Sequence, residues 1–228
     1  MIMFLVQIGS GSANLDTNFE DGFSNFIKRK KNKNKKIFIV EANSIHLKNL
    51  KKFYLKEKTV ILNYAIIPDN INKKKMKFFY SERDRPNYQI FSNSKFFVRK
   101  HFPHGEIKKK TVNCIKLSTF LKKYKISKID YLSLDIEGMD YDVLFNLNLA
   151  DFDIRNISFE HLHLTFYQKI RIIFKLISKN YFFSGMGFDI RKSDWMFTKN
   201  HKNNRITTYL LPFTPRRIWK RYSFAKLY

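Results

Sequence analysis

Residues 133–142 read SLDIEGMDYD. The apolar run Ile129–Leu132 comes immediately before, so two carboxylates, Asp135 and Glu137, fall at the end of a buried parallel strand. Gly138 and a helix-like segment follow. Open α/β sheets hold their ligands at the carboxyl ends of the strands. Acidic groups confined there are costly unless a cation or a hydrogen-bond donor meets them. The stretch predicts an α/β fold with a polar site at the end of its sheet.

Working outward, short and nearly continuous apolar runs recur at Met3–Ile8, Ile37–Val40, Val60–Ile67, Ile129–Leu134 and Ile157–Phe159. Such runs fit strands covered on both faces. Helix-like segments separate them at Phe19–Ile27, Ser44–Tyr54, Leu117–Tyr124, Asp140–Leu147 and Phe166–Asn180. The alternation predicts a largely parallel sheet with right-handed crossovers. Gly187–Arg191 and Trp195–Lys199 are short and alternating, which predicts an antiparallel hairpin at the sheet edge. The polar, aromatic stretch Phe78–Lys110 reads as a substrate-side insertion or lid, and the basic run Lys28–Lys36 as an exposed connection. One domain over residues 1–200 and a basic, aromatic extension over 201–228 are expected.

At 228 residues the chain has ample length for a core, and 44% hydrophobic with 17% aromatic content excludes wholesale disorder. A single cysteine, Cys114, excludes an intrachain disulfide framework and a cysteine-based metal site, and it reads as a small buried hydrophobe. A reducing compartment follows, so a cytoplasmic protein is expected. MIMFLV at the start reads as a first strand rather than a signal peptide, and no window approaches the length of a membrane span. The net charge of +25 fits composition bias with solubility, and it also fits a polyanionic partner. Charge alone names no function.

The first strand ends in GSGSAN, residues 9–14. Gly9 and Gly11 let the backbone turn tightly and approach a ligand. The third position of the dinucleotide fingerprint is not glycine, which counts against a standard NAD site. The second strand ends in VEAN, residues 40–43, where Glu41 suits either the ribose hydroxyls of an adenosine or a helix N-terminus. The distance from Gly9 to Glu41 exceeds the usual spacing of about twenty residues, and the lysine-rich tract accounts for the excess. Asn63 interrupts an apolar run, so its amide needs a partner, either an adenine edge or neighbouring backbone.

With these elements in order, the chain resembles the FkbM-type S-adenosylmethionine-dependent methyltransferases over about residues 4–200. The matching stretches are VQIGSGS (6–12), VEAN (40–43), NYAI (63–66), LSLDIEGMD (132–140) and FEHLH (159–163). The Asp-x-Glu-Gly element, preceded by VNCIKLSTFL (112–121), is the most specific. The glycine turn departs from the commoner Gly-Ala-Asn-x-Gly form. The resemblance implies a class I methyltransferase (Rossmann-like) three-layer sandwich, with a mostly parallel seven-stranded sheet and an antiparallel C-terminal hairpin. It implies S-adenosyl-L-methionine as cofactor, held by Gly9, Ser10, Gly11, Glu41, Ala42, Asn43, Asn63, Ala65 and Asp135. Asp135 and Glu137 would face the methionine end and the acceptor. It also implies methylation of a hydroxyl, on a sugar, glycan or glycosylated metabolite.

An alcohol acceptor needs a base at the transfer point. Asp135, Glu137, Glu160, His161 and His163 are the candidates, and Asp135, Glu137 and His161 are the residues expected to act. These carboxylates could instead hold a divalent cation through oxygen ligands, but nothing in the spacing requires one and no metal ligand is assigned. The tail Pro215–Tyr228 interleaves five cationic residues with Trp219, Tyr222, Phe224 and Tyr228. It suits a terminal helix, docking on an anionic membrane surface, or, less well, nucleic acid. RNA methylation is an alternative reading. It lacks support from an Asn/Asp-Pro-Pro-aromatic element, which the chain does not contain. A catalytically silent binding module on the same fold is the other alternative.

Overall fold

The computed structural model describes residues 2–13, 22–29, 34–85, 88–188, 193–202 and 204–215. The chain runs β1 (Met3–Ile8), α1 (Gly22–Arg29), β2 (Lys35–Val40), α2 (Leu47–Phe53), β3 (Thr59–Leu62), β4 (Ala65–Ile67), β5 (Lys75–Ser81), α3 (Lys95–His101) and β6 (Ile107–Lys116). It continues through α4 (Leu117–Lys123), β7 (Lys128–Ile129), β8 (Tyr131–Leu134), α5 (Asp140–Asn146), β9 (Asp153–Ile154), β10 (Asn156–Glu160), α6 (Phe166–Ser178), β11 (Tyr181–Met186), β12 (Asp194–Lys199) and α7 (Arg205–Leu210).

Among the described residues the main sheet has seven strands in the order β11-β12-β10-β8-β1-β2-β3. β1 pairs in parallel with β2 on one side and β8 on the other, so the winding reverses at β1. A crevice opens at the strand ends where the winding reverses. β12 runs antiparallel between β10 and β11, as expected for the final hairpin.

The continuous apolar runs are explained by helices on both faces of the sheet. Val6, Ile8, Phe38 and Val40 join Leu117, Phe120, Val143, Leu144 and Ile173 in one core layer. The alternate residues Leu5, Ile37 and Ile39 join Phe23, Ile27 and Leu50 in the other. Side chains alternate across a strand, so a strand feeding two layers must be apolar at every position.

Four expectations are corrected. The run 60–67 is two strands: β3 belongs to the main sheet, while β4 pairs with β6 in a second sheet of order β4-β6-β5. Asn63 makes the break, donating from Nδ2 to the carbonyls of Glu41 and Ala42 at 2.8 and 3.0 Å. The run 129–134 is divided at Asp130, whose carboxylate accepts from the Phe4 amide. The first hairpin strand is β11, ahead of the expected 187–191; of that stretch, 189–191 lie outside the described residues. Asn180, at φ +61°, ends the α6 segment and starts the strand one residue later. Lys35, at the end of the expected basic loop, is buried in β2, donating to the Ile27 carbonyl at 2.7 Å and pairing with Glu57 at 3.3 Å.

Within the stretch 78–110, β5 lies antiparallel to β6 with α3 between them. α7 packs on β11 and α6, with the Phe183 amide donating to Thr208 Oγ1 and Tyr209 against Phe174. Cys114 is buried in β6, as expected. Residues 216–228, which hold nearly all of the basic tail, lie outside the described residues. Among the described residues no helix is long and apolar enough to cross a membrane.

Candidate active site

A cleft of ≈ 690 Å³ opens at the carboxyl ends of β1, β2, β8 and β10. Gly9 and Gly11 form its back wall at φ +77° and +53°. A Cβ on Gly9 would stand 1.6 Å from the Asp135 carbonyl oxygen, so only glycine lets the β1 turn lie against the end of β8. A Cβ on Gly11 would meet nothing within 4 Å. Ser10 and Ser12 also line the cleft. Ser12 bonds to His46 Nδ1 at 2.6 Å, and the other ring nitrogen lies 3.2 Å from the Tyr88 carbonyl. A carbonyl can only accept, so His46 Nε2 donates to it.

Glu41 follows β2 and faces the cleft. Its carboxylate accepts from the amides of Gly11 at 2.9 Å and Asn43 at 2.7 Å. Burial raises its pKa, and the charge of His46 and the backbone donors oppose that rise. Ala42 and Ala65 line the cleft beside it. Asn43 and Asn63 are not among the lining residues. Asn43 Oδ1 caps the turn at Ser44–His46 by accepting from the Ile45 amide, and Asn63 is bonded to backbone. Of the two partners expected for Asn63, neighbouring backbone is the one observed.

The opposite wall is acidic. Asp135 stands on the cleft floor, open to water through the cleft and enclosed by protein elsewhere. Glu137, at φ +49°, precedes Gly138, and its carbonyl accepts from Ser92 Oγ at 2.8 Å. The turn is closed by Asp140, whose carboxylate accepts from the Ile136 amide at 3.2 Å. Burial first, then Glu137 and Glu160, push the Asp135 carboxyl well above its ordinary value. Burial first, then Glu160 and Asp140, do the same to Glu137. Burial raises Asp140 to about 6. Like charges in a low-dielectric pocket resist ionisation until a cation joins them.

The structure does not bring His161 to the cleft. Its ring stacks on Trp195 at 4.7 Å, and its Nδ1 bonds to the Ser193 carbonyl. His163 takes the place expected of it, lining the cleft with Nε2 3.4 Å from Glu160 Oε2. Burial, with His101 and Lys100 nearby, lowers the His163 pKa, so its imidazole is neutral near pH 7. Phe97 of α3 packs edge-on against His163 at 4.7 Å. Glu137, Glu160 and His163 each offer one atom within 4.8 Å of the others, a set that could hold a divalent cation. Sequence spacing does not reveal that set, because its members come from two strands.

The segment 78–110 supplies the outer wall through Phe78, Tyr88, Ile90, Phe91 and His101. Its aromatic richness is the signal for that role in the sequence. The β1 switch point, the glycine turn and the single antiparallel strand define a class I methyltransferase fold. The family model described as Methyltransferase FkbM domain matches residues 7–190, and the chain belongs to that family. The crystal structure of a TehB-like SAM-dependent methyltransferase from Corynebacterium glutamicum is similar at 10% identity, over 86% of this chain and 80% of that one, with a TM-score of 0.37. A search of curated proteins finds no match.

Proposed function

We propose that the chain transfers a methyl group from S-adenosylmethionine to a hydroxyl, on a sugar, glycan or glycosylated metabolite. The observation that carries this reading is one cleft with a glycine turn and Glu41 on one wall and Asp135, Glu137, Glu160 and His163 on the other. The residues fit the cofactor. The open space at Gly11 admits a ligand against bare backbone, and Glu41 is fixed by two amides with acceptor capacity left for ribose hydroxyls. Gly9, Ser10, Gly11, Glu41, Ala42 and Ala65 would hold its adenosine part, and Asp135 its cationic end.

When bound, the cofactor supplies a methyl group already activated on a positive sulfur. The protein has to align the acceptor and remove its proton. The raised carboxyls of Asp135 and Glu137 complement that positive charge and ionise beside it. Neutral His163 accepts the hydroxyl proton at a ring nitrogen, and Glu160 steadies the imidazolium that results. Phe97 holds the ring in place from the α3 side.

The test is transfer of tritiated methyl from S-adenosylmethionine to a panel of glycans, nucleotide sugars and RNA, with cofactor binding followed by calorimetry. Label on a glycan hydroxyl is the expected result. Label on RNA alone, or no binding of the cofactor, overturns the reading.

A further inference from the structure

We infer that the face formed by α6, α7 and the turn at Leu211–Phe213 docks on an anionic lipid bilayer beside the mouth of the cleft. This rests on surface chemistry and is independent of the acceptor named above. Four bulky apolar residues there are largely uncovered: Phe166 at 72% exposure, Ile206 at 69%, Leu210 at 62% and Phe174 at 56%. Scattered apolar residues on a surface need no explanation, but a contiguous patch does.

The elements that carry these residues are joined by ring contacts. Phe166 meets Phe213 at 5.8 Å and Phe174 meets Tyr209 at 4.9 Å, so α7 and the turn after it lie along α6. Ile206 and Leu210 are one helical turn apart and share a face of α7. The patch also reaches the site. Leu162 lines the cleft, is itself exposed, and stands three residues before Thr165, the N-cap of α6.

The charge around the patch selects the occupant. α6 contains no acidic residue, and from Trp195 to Tyr228 there is no Asp or Glu against eight Lys or Arg. Lys179 at the end of α6, and Lys202 and Arg205 at the start of α7, are exposed. Another copy of the chain would bring the same positive charge to this face and be repelled. A bilayer with acidic headgroups accepts both halves of the surface, because apolar side chains enter its boundary while cations meet the headgroups. The sequence after Pro215 extends the pattern with Trp219, Tyr222 and Phe224 among five further cations.

The test is co-sedimentation of the full chain with phosphatidylglycerol-containing vesicles and with vesicles of phosphatidylcholine alone. A triple variant, Phe166→Ser with Ile206→Ser and Leu210→Ser, is compared with the parent. These positions are exposed, so thermal melting of the variant is expected to match the parent and serves as its folding control. Salt-sensitive binding to the acidic vesicles only, weakened about tenfold or more in the variant, is the expected result. Equal binding to both vesicles, or unchanged binding by the variant, overturns the inference. So does a dimer that the triple substitution dissolves, or RNA binding in place of vesicle binding.

Discussion

Gly9 and Gly11 stand two residues apart and answer opposite demands. At Gly9 an added Cβ would collide with the Asp135 carbonyl, and at Gly11 only the positive φ penalises a side chain. Gly9→Ala is therefore expected to cost about 3 kcal/mol or more in urea denaturation, and Gly11→Ala about 1 kcal/mol. Calorimetry on Gly11→Ala is expected to show weakened cofactor binding, since the new methyl points into the cleft. Asp140 carries a pH signature. Its ordinary value is 3.8 and the fold raises it to about 6, so the protonated form is the one the fold favours. The stability this contributes is complete below 3.8 and is lost as pH rises through about 6. The loss amounts to roughly 3 kcal/mol, and Asp135 and Glu137, shifted in the same direction, extend it upward. Denaturation of Asp140→Asn between pH 4 and 8 is expected to show a shallower decline than the parent, and parallel declines would refute the assignment. Asp135→Asn is expected to abolish methyl transfer with the fold intact. The two histidines separate in the same way: His163→Gln is expected to lose turnover, and His161→Gln to lose stability by unstacking from Trp195. Residue spacing could not distinguish them, because positions two apart share a face only while a strand continues. β10 ends at Glu160, and the turn after it sends the two rings apart.

At the scale of elements, the buried strands were legible because a strand between two helical layers must be apolar throughout. The breaks within them were not. Residues 60–67 read as one run, yet Asn63 divides them between two sheets by bonding to the carbonyls that follow β2. Asn63→Ala is expected to cost about 1–2 kcal/mol by stripping those carbonyls of a donor. It should also weaken cofactor binding, since Glu41 hangs from the same loop. Normal affinity in a destabilised variant would show that the loop holds Glu41 without Asn63. The stretch 78–110 resisted reading for a related reason. β5 and β6 pair across α3, and their exposed positions dilute the alternation that marks a strand.

The whole molecule carries +25, with cations spread over many elements, while Glu41, Asp135, Glu137, Glu160 and Asp194 line the cleft. Self-repulsion of that size destabilises a compact chain and is screened by salt. Thermal melting is expected to shift upward as sodium chloride is raised from low concentration, and a downward shift would mean that specific ion pairs outweigh the net charge. The same distribution sets a carboxyl-rich cleft, whose groups ionise when a cation joins them, apart from the basic α6–α7 face.

By itself the sequence determined the α/β class, the family and the acidic strand end, since apolar runs, glycine turns and a carboxylate motif are written in consecutive residues. Which side chains meet was decided only in three dimensions. Glu137 comes from one strand end, Glu160 and His163 from another, and the outer wall of the cleft comes from a segment of another sheet. Their meeting follows from long-range packing and from turns that redirect side chains within one or two residues, and neither leaves a period in the chain.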